Sequence, residues 1–164
     1  MTTVRHRLMR REIKARLAAA QLLKSAADQS DSAYLLDLLA FELLLKLFLE
    51  IESRSSAPAH HAYDNIFDSL PQPVQAKILR LAGERIGPSA LTTDHLSVLR
   101  DMSSNFVNLR YPYERYSHMS ENEYAEVGNK WSAAGAPIAT AHFRYHQEEL
   151  LGLIHALQAL THGC

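Results

Sequence analysis

A second cysteine is missing. The lone thiol, Cys164, is the last residue, so no intrachain disulfide can form and a reducing, cytoplasmic compartment is expected. An excess of charge of one sign is missing too. With 17 Lys and Arg against 18 Asp and Glu, the formal charge is −1, and no global field draws the chain onto nucleic acid or an anionic membrane. No long apolar run is unbroken: the longest, Tyr34 to Ile51, is interrupted by Asp37, Glu42, Lys46 and Glu50, which argues against a membrane span. Met1 to Arg5 has no apolar stretch behind its charge, so no secretory signal is expected. Glycine-rich phosphate loops, paired-cysteine zinc ligands and nucleophile elbows are all absent, and the enzyme classes built on them fit poorly. Strand patterns are absent as well, because Val and Ile are sparse and no period-two run reaches strand length.

What remains is helical. At 164 residues with 47% hydrophobic content, the chain suits one domain spanning residues 1–164 with a single core. Arg5, Arg7, Arg10, Arg11, Lys14 and Arg16 face only Glu12, giving a basic N-terminal arm over residues 1–16 that is expected to be solvated. Good helix formers predict a helix from Arg10 to Asp28, followed by a break at Gln29–Ser32 where Asp31 or Ser32 can accept from first-turn amides. From Ser32 to Ser53 the pattern is apolar on most of its circumference, with a narrow polar stripe at Glu42, Lys46 and Glu50. That helix should be buried from several sides.

A loop over Ser53–Ala59 precedes a short helix ending near Leu70, and Pro71 and Pro73 open another that runs towards Gly83 or Gly87. Thr92–Asp94 caps the next, with Leu96, Leu99, Met102, Phe106 and Leu109 at helical spacing before Pro112. Ser120 should cap a modest helix ending near Trp131. Pro137 is expected to start the last, running to Thr161 with Gly163 just beyond. The predicted fold is all-α, an antiparallel bundle of four to five main helices with a short extra helix. Leu39, Phe41, Leu44, Phe48, Phe67 and Phe106 are the expected core or interface residues.

Two segments carry a family likeness. His61-Ala62-Tyr63-Asp64-Asn65-Ile66-Phe67-Asp68-Ser69-Leu70-Pro71 and Phe106-Val107-Asn108-Leu109-Arg110-Tyr111-Pro112-Tyr113-Glu114, with the helix Leu39 to Lys46 before them, resemble the HEPN (higher eukaryotes and prokaryotes nucleotide-binding) family. The likeness covers roughly residues 20–115. It departs at Ala62, where the family usually has Asp, and at Tyr63, where it usually has Leu. The resemblance implies a HEPN-like helical domain from a prokaryotic defence or toxin system, a homodimer that binds RNA or a nucleotide. It also implies a cognate partner of the nucleotidyltransferase type.

Catalytic members of that family are metal-independent endoribonucleases with an Arg, four to six residues, then a His, so that His moves a proton while Arg stabilises the phosphorane-like charge. Here Arg110 is followed by seven residues before His118, and Arg115 by only two. Arg54 and His60 fit the spacing but lie in the Ser/Ala/Pro loop, a coincidence of sequence. Binding without an intact cleavage motif is therefore the expected state. The rivals are a ribonuclease using Arg110 or Arg115 with His118, and a non-catalytic adaptor that binds another protein.

The ligand-binding residues expected from these segments are Arg110, Tyr111, Tyr113, Glu114, Arg115, His118 and His61. Guanidinium groups suit phosphate and phenol rings suit base stacking. Set against this is packing of Tyr111 and Tyr113 on the bundle, with Arg110 paired to Glu114 or Glu42 and His61 making a structural hydrogen bond. His142, His146 and Glu149 stand at i, i+4 and i+7 of the predicted last helix, a spacing that can hold a divalent metal on one face. With no second cluster in support, neither a metal site nor a cofactor is expected.

Overall fold

The computed structural model describes residues 3–162, and all regular structure among them is helical. Seven α-helices follow in order among these residues: α1 Val4–Ser25, α2 Ser32–Ser53, α3 Tyr63–Asp68, α4 Gln72–Ile86, α5 Leu91–Asn108, α6 Glu121–Ala133 and α7 Gln147–His162. Short 3-10 turns occupy Pro112–Tyr116 and Ile138–Thr140. None of the described helices is long and apolar enough to cross a membrane. Gly163 and Cys164 lie outside the described residues.

The centre of the bundle is α2, in which 14 of 22 residues are buried. Helix α1 runs antiparallel beside it: Lys24 reaches Asp37 at the hairpin end, and Arg5 reaches Glu50 at the other. Met9, Ile13 and Ala20, with half-buried Leu17, supply the stripe of α1 that meets α2. Phe41, Leu44, Phe48, Phe67 and Phe106 are buried as expected, while Leu39 is half-buried against the same core. Helix α7 packs on both α2 and α4. The α4–α7 crossing is close because of Gly152, where a Cβ would fall 3.0 Å from Ile86 Cγ2 and 3.2 Å from the Ala82 carbonyl.

Four expectations need correction. The first helix begins at Val4, not Arg10, because the Thr3 side chain accepts from the His6 amide and caps the basic segment into the helix. The basic arm is accordingly helical, and Arg5 and Arg10 are engaged, Arg10 donating to the Thr161 carbonyl at 3.1 Å. The last helix begins at Gln147, not Pro137; residues 141–146 are extended or turn, and His146 has a left-handed φ of 48°. The polar stripe of α2 is buried along with the apolar faces, Glu42 at 4%, Lys46 at 9% and Glu50 at 6% exposure, because each acid meets a hydrogen-bond partner from elsewhere, His61 for Glu42 and Arg5 for Glu50. Asp31 makes no capping bond; its carboxylate accepts instead from the Tyr145 hydroxyl at 2.9 Å.

Other local signals hold. Asp94 accepts from the Ser97 amide at 3.1 Å, as an N-cap does, although the helical turn extends back to Leu91 across a kink. Ser120 and Glu123 form a reciprocal capping box at the start of α6.

Candidate functional site

Glu42 and Lys46 are one turn apart on α2, and Lys46 Nζ donates to Glu42 Oε1 at 2.8 Å. The same carboxylate holds His61, whose Nδ1 lies 2.8 Å from Oε2 and 3.0 Å from Oε1. Glu42 is buried, but His61 presents 44% of its side chain to solvent. A buried acid therefore orients an accessible imidazole. That arrangement fixes which ring nitrogen faces outward.

Local structure sets His61 in place. The Tyr63 amide donates to Ser103 Oγ on α5 at 2.8 Å, and Asp64 pairs with Arg100 on the same helix at 3.0 Å. These two ties fix the start of α3 against α5 and leave His61 just before it. Tyr63 is fully buried, packed edge-on against Phe41 at 5.3 Å. Burial and the neighbouring Glu42 carboxylate push its phenol far above the ordinary value, with the charge of Arg110 acting in the opposite direction.

Arg110 completes the group. Its guanidinium carbon lies 4.6 Å from the centre of the Phe106 ring, and its Nε donates to the Phe106 carbonyl at 2.9 Å. The His61 ring stands 5.2 Å from the same Phe106 ring. Among the described residues no carboxylate is within ion-pair distance of Arg110, so it pairs with neither Glu42 nor Glu114. Glu42 is thus paired with Lys46, while the Arg110 guanidinium has no acid of its own. Arg110 and His61 are both exposed.

The residues singled out from sequence divide between places. His61 and Arg110 share the Phe106 ring. Arg115 instead lies over Phe143, 5.4 Å from the ring centre. The contacts of Arg110 and Arg115 thus run to different rings although the residues are close in sequence, and among the described residues no hydrogen bond or ion pair joins His118 to either. Tyr111 and Tyr113 meet edge-on at 6.3 Å and are 58% and 63% exposed, so they do not pack on the bundle. Glu114 makes backbone turn bonds to Tyr111 and Ser117.

The metal spacing is not realised. His142 and His146 precede α7 while Glu149 lies within it; His142 Nδ1 meets the Tyr116 hydroxyl at 3.0 Å, and His146 Nε2 meets Asp101 at 2.9 Å. Among the described residues no group of three His, Cys, Asp or Glu could hold a metal ion. Glu42 is the candidate site residue that sequence reasoning placed only as a feature of the family-like helix and a possible partner of Arg110. Its four-residue step to Lys46 was visible; its contact with His61, 19 positions away, was not. No protein-family model, curated protein or solved structure matches the chain.

Proposed function

We propose that this chain is a HEPN-like protein that binds the phosphate of RNA or of a nucleotide at His61 and Arg110. The observation that carries the reading is the exposed His61 imidazole held by buried Glu42, together with a guanidinium that has no acidic partner and lies against the same Phe106 ring. A phosphate oxygen can accept from the outward nitrogen of His61 while a second accepts from the Arg110 fork, and Lys46 offsets the Glu42 charge behind them. Tyr111 and Tyr113, exposed just beyond Arg110, offer stacking faces for adjoining bases.

The test is fluorescence anisotropy with labelled single-stranded RNA and with a labelled nucleotide. Arg110→Ala should weaken binding about tenfold or more, the loss of one charge-assisted pair, and added salt should weaken the wild type further. Equal binding by wild type and by the Arg110→Ala/His61→Ala double variant removes the site.

The His61–Glu42 pair favours a second reading, metal-independent cleavage, with His61 moving a proton and Arg110 stabilising the phosphorane-like charge. This replaces the His118 of the sequence argument with His61. Little or no RNA cleavage is expected in excess chelator, since the Arg-to-His spacing of catalytic family members is absent. Robust cleavage lost in His61→Ala but kept in His118→Ala promotes this reading to first place. The resemblance also supports a defence or toxin setting, a homodimer and a nucleotidyltransferase-type partner. Light scattering at micromolar concentration checks the dimer.

A further inference from the structure

On the other side of Arg115 the chain builds an aromatic pocket from local pieces. Helix α6 buries none of its residues. The turn after it, with Gly135 at φ 82° and Ala136 at φ 49°, brings residues 137–145 back alongside, and Trp131 Nε1 holds the return by donating to the Pro137 carbonyl at 3.1 Å. Arg144 donates to the Ala139 carbonyl at 2.8 Å and steadies the same segment. Between them lies a cavity of about 400 Å³ whose walls include Tyr116, Tyr124, Trp131, His142, Phe143 and Tyr145. Small-molecule pockets span about 300–1,000 Å³, so its size suits a ligand.

The aromatic walls offer flat faces against which a planar guest can stack. Tyr116 and His142 are nearly parallel, 28° apart at 5.6 Å, and Tyr124 stands edge-on to Tyr116 at 4.9 Å. His142 Nδ1 is engaged by the Tyr116 hydroxyl, and its other nitrogen makes no hydrogen bond among the described residues. No Asp, Glu, Asn or Gln lines the cavity, which disfavours a sugar, whose hydroxyls need such partners. Aromatic walls without an acid could also cage a quaternary ammonium. Here, however, the Arg115 guanidinium lies over Phe143, one of the walls, and no carboxylate pairs with it among the described residues. Arg115 does not itself line the cavity, but its charge against the Phe143 ring disfavours a cationic guest and favours an anionic one.

We infer that this pocket takes the base of a nucleotide, stacked among Tyr116, Tyr124 and Trp131, with Arg115 receiving the phosphate. The inference shares the ligand class of the reading above but rests on none of its residues, so either can fail alone. The shared chemistry, a planar base carrying a phosphate, can come from a free nucleotide or from one base of a single strand.

Trp131 is the single tryptophan of the chain, which makes its fluorescence a report from this site. Titration of the full chain with AMP and UMP should quench Trp131, whereas ribose 5-phosphate and choline should not. Tyr124→Ala, at a residue 56% exposed and outside the core, should weaken the quenching by at least about fivefold, the loss of one stacking face. Arg115→Ala should weaken AMP but leave adenosine unchanged. His61→Ala/Arg110→Ala should leave the Trp131 signal as it is. Quenching by AMP marks a free nucleotide as the source; quenching by a short single-stranded RNA and not by AMP marks a strand. Absence of quenching by AMP, UMP and the RNA overturns the inference, as does equal quenching in Tyr124→Ala or quenching by choline alone. Circular dichroism of each variant confirms that a lost signal is not a lost fold.

Discussion

In the half of the molecule built by α1, α2 and α7, Tyr34 and Phe41 are 5% and 0% exposed, and even Asp37, Glu42, Lys46 and Glu50 of α2 are buried and paired. Between residues 110 and 146 no residue is buried, and Tyr111, Tyr113 and Tyr124 are each more than half exposed. Both regions hold aromatic rings and arginines. In the first, rings fill the core and Arg5 bonds Glu50 through both Nε and Nη2. In the second, Arg110 and Arg115 lie over Phe106 and Phe143 with no acid to neutralise them. Burial explains the first set of residues. The second set contributes little to the core, which leaves its stacking faces and charges for a ligand.

The largest effects should come from the first region. Phe41→Ala removes a fully buried ring from the centre of α2 and should cost about 3–5 kcal/mol in urea denaturation. Glu42→Ala leaves the Lys46 charge buried with no acid beside it and should cost about 3 kcal/mol by the same measurement. Tyr113→Ala and Tyr124→Ala, by contrast, should change stability by no more than about 0.5 kcal/mol. A loss of several kcal/mol in either tyrosine variant breaks the comparison, since those rings would then be structural.

A pH titration sharpens it. Burial works to raise the Glu50 carboxyl, but hydrogen bonds from Arg5 and the Ala57 amide, with the charges of Arg5 and His6, outweigh burial and hold it below its ordinary 4.5. A carboxylate depressed in the folded state adds stability that is complete above its unfolded value and lost as pH falls through the folded one. The α1–α2 hairpin should therefore weaken below about pH 4.5. Asp37, which burial raises against the pull of Lys24, works the other way, so the comparison is wild type against Glu50→Gln. The variant should show a flatter acid limb. Unchanged acid limbs would contradict the assignment.

The smallest effect concerns the end of α1. Ala27 has φ 55°, and the bonds from Asp28 N to the Leu23 carbonyl and from Ala27 N to the Lys24 carbonyl make the left-handed helix stop that glycine adopts most easily. Ala27→Gly should raise stability by up to about 1 kcal/mol, the left-handed strain relieved less the added chain entropy. Thermal unfolding by circular dichroism would detect it.

Much of the fold was legible because its signals are local. The period of α2, the Asp94 and Ser120 caps and the Gly87 stop each depend on a few neighbouring residues. What the sequence hid depends on distance along the chain. Pro137 looks like a helix start, but the bonds of Asn105 to the Arg144 carbonyl and of His146 to Asp101 tie that segment to α5 instead. The Glu42–Lys46–Glu50 row looks like a solvent-facing stripe, and only Arg5, His6 and His61, from α1 and the loop before α3, reveal how it can be buried. At the site, His61 and Arg110 could be singled out through their family-like segments. The Glu42–His61 bond and the division of Arg110 from Arg115 could not, because the first joins residues 19 apart and the second sends sequence neighbours to different rings.

The most direct measurement of the central claim is side-chain NMR of His61 and Arg110 during addition of single-stranded RNA. The account expects the His61 imidazole and Arg110 guanidinium signals to move together and saturate with the binding curve, and to move less as salt rises. Saturable RNA binding with both signals unmoved would contradict it.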